Sequence, residues 1–340
     1  YPLNLSLIPL ADAVAAGNCV MLKPSSRAPA TAAMLEEIIA ECFDFGHVCL
    51  ALGKGEETGA ALLAGKWDFI FYTGSARVGR EVMTAAARHL TPICLELGGK
   101  SPVIVAADAD IALTARRIAW GKMLNAGQTC VAPDYILVAG EVKDELVAAL
   151  AAELAVFPGE DKAALPNPDS CRSGSKEALE RLETLTQGRA VFDYDRLRMA
   201  PLLLPDAAPD DPAMREEIFG PILPILTVKD VDEAVDFVRA REKPLACYIF
   251  TASKATAADL LSRISSGGAC VNDTIMQTAS PHLPFGGVGA SGMGRYHGRT
   301  GFELFSNMKS VVFRGTCCDP RLRYLPVGAR ALVWLRRLLG

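Results

Sequence analysis

Cys130 closes the run Asn125-Ala126-Gly127-Gln128-Thr129-Cys130, a polar, glycine-containing turn that ends a helical pattern. Of the ten cysteines it is set apart by that polar N-terminal flank. A thiol at an accessible turn can ionise and act as a nucleophile. The competing reading is a small buried hydrophobe, and the motif alone leaves it open. Glu96 lies in Leu95-Glu96-Leu97-Gly98-Gly99-Lys100, an apolar strand closing on a glycine pair. A carboxylate there is costly unless paired or functional. Desolvation would raise its pKa toward that of a general base. An ion pair with Lys100 is the structural alternative.

Other segments suit a phosphate- and sugar-bearing ligand. Phe71-Tyr72-Thr73-Gly74-Ser75-Ala76-Arg77-Val78-Gly79 joins a strand to a helix through a glycine turn. A helix N-terminus presents unpaired N–H groups and a positive dipole end, which fits a diphosphate. Gly74 permits close backbone approach, and Ser75 can cap the helix or donate to a phosphate. The segment is not GxGxxG, so the common dinucleotide fingerprint is absent and an ordinary strand–helix turn stays open. Lys23, in Leu22-Lys23-Pro24-Ser25-Ser26, sits at the carboxyl end of a strand, where open α/β sheets bind ligands. It can hydrogen-bond ribose hydroxyls or phosphate, or simply be solvated. One acid of Glu216-Glu217 can accept from ribose hydroxyls; the alternative is an exposed turn with two solvated acids. Phe285, in the glycine-dense loop Pro284–Gly294, can wall a pocket or belong to a flexible connector.

These residues need elements to position them. Cys19–Lys23, His47–Leu52, Asp68–Tyr72 and Ile93–Leu97 read as strands; Thr31–Cys42, Glu56–Ala64 and Val78–His89 read as helices between them. After Gly98-Gly99 the rhythm restarts. Strands are expected at Pro102–Val105, Tyr135–Val138, Ile222–Val228, Ala246–Phe250 and Ala269–Asn272. Helices are expected at Asp110–Asn125, Val142–Val156, Ala178–Thr186, Val231–Arg239 and Ala255–Ile264. Phe157–Ser175 reads as loop, and Pro201–Met214 as a Pro/Asp-rich exposed stretch. Alternation of this kind predicts parallel sheets covered by helices, in two α/β units split near residue 98.

Composition narrows the rest. Half of the 340 residues are hydrophobic and 22% are charged, enough to bury a large core. With 35 basic and 39 acidic residues the net charge is −4, unlike a dedicated nucleic-acid binder. No apolar run is long enough to span a membrane. No CxxC pair occurs, so no zinc site is expected. Cys19, Cys49, Cys94, Cys247 and Cys270 sit in apolar runs and read as small buried hydrophobes; the adjacent Cys317-Cys318 has no assignment. Reduced thiols imply the cytosol. The chain starts at Tyr1-Pro2 as if inside a domain, so missing N-terminal sequence is expected.

Taken in order, Phe71–Gly79, Leu95–Ser101, Gly127–Cys130, Glu216–Pro221 and Pro284–Gly287 resemble the aldehyde dehydrogenase superfamily, and the resemblance covers essentially the whole chain. Gly127-Gln128-Thr129-Cys130-Val131-Ala132-Pro133-Asp134-Tyr135, Arg241–Ala246 and Leu283–Gly294 with Tyr296-His297-Gly298 look specifically like its class 3 branch, which acts on fatty, aromatic and coniferyl aldehydes. The resemblance implies two Rossmann-like parallel lobes with a small oligomerisation element. Residues 1–97 would be the cofactor-binding domain, 98–298 the catalytic domain and 299–340 a C-terminal oligomerisation segment and tail.

The resemblance also implies a mechanism. Cys130 adds to the aldehyde, hydride passes to the nicotinamide, and water hydrolyses the thioester. Glu96 would activate that water, and in addition the thiol. Lys23, Ser26, Gly74, Ser75, Val78, Glu217 and Phe219 would bind NAD or NADP, and Phe285 would line the substrate pocket. Two departures stand out. The family's oxyanion asparagine would precede Tyr1, and loss of one such donor costs about 10²–10³ in rate. Ser26 replaces a glutamate that many members use against the adenosine ribose. With Arg27 next to it, repulsion of a 2′-phosphate is removed, so NADP⁺ use is expected.

The tail, 321–340, mixes arginines with apolar residues. A basic amphipathic helix at a membrane is the lesser reading; packing against another subunit, or fraying, is preferred. The expected protein is a cytoplasmic homodimer acting on an aldehyde, with no metal and no nucleic-acid partner. The competing readings are a catalytically impaired nucleotide-binding fragment of the same fold and a cofactor-free thiol hydrolase. The intact Cys130–Glu96 pair argues against the first, and the cofactor motifs argue against the second.

Overall fold

The computed structural model describes residues 1–155, 171–317, 319, 324–326 and 328–339. Most of the loop expected at Phe157–Ser175, together with Val156, Cys318, Arg321, Arg323 and Gly340, lies outside the described residues. By backbone contacts the chain divides into one unit of Tyr1–Ser306 and another of Asn307–Gly340.

The first unit begins with α1 (Pro2–Ala15), β1 (Val20–Leu22), α2 (Pro29–Cys42), β2 (Val48–Leu50), α3 (Gly55–Ala64), β3 (Ile70–Thr73), α4 (Ala76–Ala87) and β4 (Ile93–Glu96). It continues with β5 (Pro102–Val105), α5 (Ile111–Met123), β6 (Tyr135–Ala139), α6 (Lys143–Leu154), α7 (Lys176–Thr186), β7 (Phe192–Asp193), β8 (Arg198–Met199) and β9 (Leu202–Leu204). It ends with α8 (Pro212–Arg215), β10 (Ile222–Val228), α9 (Val231–Arg239), β11 (Ala246–Phe250), α10 (Lys254–Arg263), β12 (Gly268–Val271), β13 (Gly292–Met293) and α11 (Gly298–Leu304). The second unit holds α12 (Ala329–Leu338).

The larger sheet has the order β12-β11-β5-β6-β10-β9, and every pairing is parallel. Its central strands are buried along their whole length, as a sheet covered on both faces requires. Alternate residues feed opposite faces. Val103, Val105, Ile136, Val138, Tyr248 and Phe250 pack with α5 and α6. Ile104, Leu137, Cys247 and Ile249 pack with Val235 and Val238 of α9 and Leu260 of α10. Asp110 caps α5 and Asp230 caps α9, each accepting first-turn N–H groups, so the helices start where the sequence places polar caps.

A smaller sheet, β13-β4-β3, carries Glu96 at the end of its middle strand. Thr73 of β3 lies beside it in parallel register and Gly292 of β13 opposes it. β1 and β2 form a separate parallel pair.

Three expectations need correction. Pro201–Met214 is not simply exposed: β9 pairs with β10, and Leu204, Ala213 and Met214 are buried, because three leucines outweigh the flanking prolines and aspartates. Residues 2–15 carry no assignment above, yet form α1, which starts on a proline suited to a first helical turn and buries Leu10 and Ala13. Of the cysteines read as buried, Cys94 and Cys247 are, Cys49 and Cys270 are partly buried, and Cys19 is exposed, since it precedes β1 at the end of a two-stranded pair. Among the described residues no helix is long and apolar enough to cross a membrane.

Leu137 is fully buried in the middle of β6. Leu137→Ala removes packing from the core shared by α9 and α10 and is expected to cost about 2–5 kcal/mol. Urea unfolding checks this as a lower midpoint at unchanged slope.

Candidate active site

The end of α5 sets the turn that carries Cys130. After Met123 the chain turns through Asn125 (φ 52°), Ala126 (φ 55°) and Gly127 (φ 73°), three residues in the left-handed region. Side-chain bonds hold this strained stretch. Asn125 Nδ2 donates to the Gln128 carbonyl at 2.9 Å, and Gln128 Nε2 donates to the carbonyls of Asn125 at 3.0 Å and Arg172 at 2.8 Å. The Gly174 N–H donates to Gln128 Oε1 at 2.8 Å. A Cβ on Gly127 would come within 2.4 Å of the Gly220 carbonyl, so only glycine lets the turn close against the Glu217–Gly220 loop.

Cys130 is partly buried at the end of this turn. Its own N–H and that of Val131 are directed at the sulfur and favour the thiolate. Burial, and then the nearby Glu217 and Glu96 carboxylates, outweigh them and push the thiol up to about 12. The polar flank leaves both an accessible and a buried thiol open, and the structure places the sulfur between them, partly buried. The turn is polar, but the sulfur points inward toward two acids, so it ionises only if a neighbouring group takes its proton.

Glu96 is 3% exposed. Its Oε1 accepts from the Cys94 thiol at 3.9 Å, while Oε2 has no hydrogen-bond partner among the described residues. Burial pushes this carboxyl up to about 9, against the pull of the Arg295 guanidinium and the Cys94 thiol. Lys100 is not its partner. The Lys100 ammonium pairs with Asp134 and donates to the carbonyls of Ala213 at 2.7 Å and Glu216 at 2.9 Å. Fully buried Tyr296 feels the charges of Glu96, Cys130 and Cys94 together, which places these groups in one neighbourhood.

The two acids of the 216–220 loop part company. Glu216 is exposed and bonded by Arg181 Nη1 at 2.9 Å. Glu217 turns inward, accepts from the Gly99 N–H and lies over Gly98, where a Cβ would sit 2.0 Å from its Oε2. Burial and the Asp134 carboxylate raise it to about 7, opposed by the Gly99 N–H, Arg181 and Lys100. The reading of this pair as two solvated acids is thus corrected for Glu217. Asp134 Oδ2 accepts the Ile218 N–H at 2.9 Å, and Arg181 donates to the carbonyls of Glu217 and Ile218. Phe219 (φ 49°) stands exposed at the tip.

Ser75 caps α4, accepting the Val78 N–H at 3.5 Å. The Gly74 N–H donates to the Glu96 carbonyl at 3.0 Å, which ties this turn to the carboxylate strand. Val78 packs inward with Leu95 and Leu97. Among the described residues Lys23 Nζ donates to the Pro24 carbonyl, at 3.1 Å, and Ser26 is exposed beside Gly55 at the start of α3. The structure thus brings together Cys130, Glu96, Glu217 and Gly74, whereas Lys23 and Ser26 lie after β1 in the separate strand pair. Phe285 exchanges backbone bonds with Tyr296 at 2.9 Å and stacks on His297. It lines a cavity of about 190 Å³ with Leu245, Leu283 and Gln277. The roles of Asp134, Arg181 and Arg295 go unnoticed in the sequence because their partners are distant in it, and Lys100, read there as a partner of Glu96, pairs with Asp134 instead.

These residues suit a dinucleotide. The first turn of α4 is open above Ser75, the Lys23 ammonium has hydrogen-bonding capacity to spare, and Glu217 sits over a glycine that a Cβ would crowd. The sequence profile of the aldehyde dehydrogenase family matches residues 1–311. Mouse aldehyde dehydrogenase family 3 member B1 is 46% identical over 339 residues, which span 98% of this chain and 72% of that protein. The substrate-bound state of Staphylococcus aureus AldH superposes with a TM-score of 0.93 at 40% identity, covering 100% of this chain and 75% of that one. The Mycobacterium tuberculosis aldehyde dehydrogenase complexed with NAD⁺ gives 0.83 at 31% identity, over 94% and 68% of the two chains. The glyceraldehyde-3-phosphate dehydrogenase GapN of Methanocaldococcus jannaschii complexed with NADP gives 0.81 at 28% identity, over 91% and 69%.

The Glu96 carboxyl has a pH consequence. In the folded chain it keeps its proton up to about 9, whereas its ordinary value is 4.5. Between these limits the folded state holds a proton that the unfolded chain has released, so this group makes stability fall as pH rises. Glu96→Gln removes that slope: its melting temperature relative to wild type is expected to climb from about pH 4.5 to pH 9. A difference that stays constant over this range refutes a carboxyl held neutral by burial.

Proposed function

The chain belongs to the aldehyde dehydrogenase family, and on that premise we propose which of its residues oxidise an aldehyde to a carboxylic acid with NAD or NADP. Cys130 is the nucleophile. Its sulfur adds to the carbonyl carbon, and the oxyanion of the resulting thiohemiacetal faces the N–H groups of Cys130 and Val131. The chemistry NAD(P)⁺ supplies when bound is acceptance of a hydride. Glu96 then takes a proton from the water that hydrolyses the thioester on Cys130. Glu217 lies beside the thiol and titrates near neutrality, which suits it to take the thiol proton before it turns to a sugar hydroxyl.

One observation carries the reading: the carboxyls of buried Glu96 and partly buried Glu217 bear on the Cys130 sulfur while two backbone N–H groups favour its thiolate. Gly74, Ser75 and Val78 would hold the diphosphate end of the cofactor. Lys23, Glu217 and Phe219 would hold its sugars, with Ser26 nearest the adenosine ribose. The preferred substrates are medium-chain aliphatic or aromatic aldehydes, which the apolar cavity at Phe285 supports.

Support for a division into 1–97, 98–298 and 299–340 comes from strand pairing among the described residues: β5, β6 and β9 to β12 build the larger sheet, while β13 pairs with β4. A homodimer is supported by the exposed apolar run Val311, Val312 and Phe313. A cytoplasmic location is supported by the free thiols of Cys94, Cys130, Cys247 and Cys270.

Cys130→Ser is expected to lower NAD(P)H formation by more than about 10³-fold. Retained activity removes the nucleophile assignment. Glu96→Gln is expected to leave a single-turnover burst of NAD(P)H but slow steady turnover, and to abolish the rise of kcat with pH that a base titrating near 9 imposes. Turnover is also expected with NADP⁺ at millimolar concentration, because Ser26 and Arg27 offer no negative charge against a 2′-phosphate. An enzyme that reduces NAD⁺ alone refutes that.

A further inference from the structure

Tyr248 approaches the nucleophile turn from behind. It is fully buried on β11, and its hydroxyl donates to the Val131 carbonyl. The same oxygen accepts from Gln277 Nε2 at 3.3 Å, and Gln277 Oε1 accepts from the Cys270 thiol at 2.7 Å. Gln277 also lines the cavity that holds Phe285, whose other walls include Leu245 and Leu283. A continuous run of hydrogen bonds therefore reaches from a cavity wall to the residue that follows Cys130. Residue 131 matters because its N–H is one of the two directed at the Cys130 sulfur.

A phenol hydroxyl can rotate about its C–O bond. With the Gln277 amide occupying its lone pair, the Tyr248 proton has the Val131 carbonyl as its natural direction, and the two bonds polarise each other. Loss of the amide leaves a buried oxygen short of a partner and frees the rotor. The Val131 carbonyl belongs to the peptide after residue 131, so holding it fixes the backbone at the Val131 Cα. A shift there of a fraction of an ångström would be passed to the preceding peptide and move its N–H off the sulfur and off the oxyanion of its adduct.

We infer that Gln277, acting through Tyr248, is a positioning residue for Cys130: it pins residue 131 so that the peptide N–H groups stay aimed at the reacting sulfur. The inference rests on Cys130 being the nucleophile.

The test follows alkylation of Cys130 by iodoacetamide against pH, read by mass spectrometry of the Cys130 peptide, in wild type, Tyr248→Phe, Gln277→Met and the double variant. Methionine keeps the volume of Gln277 and removes its donor. Alkylation and kcat are each expected to fall about tenfold in Tyr248→Phe and about threefold in Gln277→Met, with the alkylation profile displaced to higher pH and KM for NAD(P)⁺ unchanged. The double variant is expected to be no worse than Tyr248→Phe, because the path is already cut. An unchanged profile in Gln277→Met, or losses that multiply in the double variant, overturns the inference. Should Tyr248→Phe fail to fold, the profile of Gln277→Met decides alone, since that side chain borders a cavity. Wild-type enzyme that keeps its activity with Cys130 fully alkylated overturns the nucleophile assignment and this inference with it. Loss of activity on alkylation, with Gln277→Met alkylated like wild type, overturns this inference only.

Discussion

The Cys130 thiol lies within range of two carboxyls, that of buried Glu96 and that of partly buried Glu217. Each resists ionisation because burial penalises its anion, and the two carboxylates add to the penalty on the thiolate. The neighbourhood therefore favours few negative charges at a time. That is a useful constraint for a reaction in which a thiolate, an oxyanion and a carboxylate must appear in turn, since a charge that is hard to keep is readily passed on. Asp134, close by, is held by the Lys100 ammonium and the Ile218 N–H, so the cation nearest Glu96 in sequence serves another acid.

The fold maintains this arrangement by close backbone approach rather than by bulk. Glu96 ends the middle strand of a small sheet, with β3 on one side and β13 on the other, so its place is fixed by pairing. The nucleophile turn leaves α5 in a left-handed path and closes directly on the Gly220 carbonyl. Arg181 and Asp134 hold the intervening loop, and Gln128 ties the turn to residues 172–174. Strain at Asn125 and Ala126 is thereby borne by packing and side-chain bonds, as at other sites where a reactive group must be presented off a helix end.

Most strands and helices were legible, because period-two and period-3.6 patterns, polar caps and glycine breaks act within a few residues. α1 escaped notice because its polar and apolar residues make only a weak stripe, and it forms where Leu10 finds Ile39 and Val48. β9 escaped because its leucines adjoin a Pro/Asp-rich stretch, and only pairing with β10 makes a strand of them. Cys130, Glu96 and Glu217 could each be singled out, but the flanks of Cys130 suggested a thiol open to water, and the doublet at 216–217 did not say which acid turns inward.

The sequence by itself determined the alternating elements, the placement of a cysteine and an acid at the ends of a helix and a strand, and the family to which the chain belongs, since all three are written in local order. Only the tertiary structure decided that two acids bear on the Cys130 sulfur, that Lys100 serves Asp134 instead of Glu96, and that Tyr248 and Gln277 stand behind the Cys130 turn. Desolvation and charge proximity depend on which distant segments meet, and spacing along the chain does not encode that meeting.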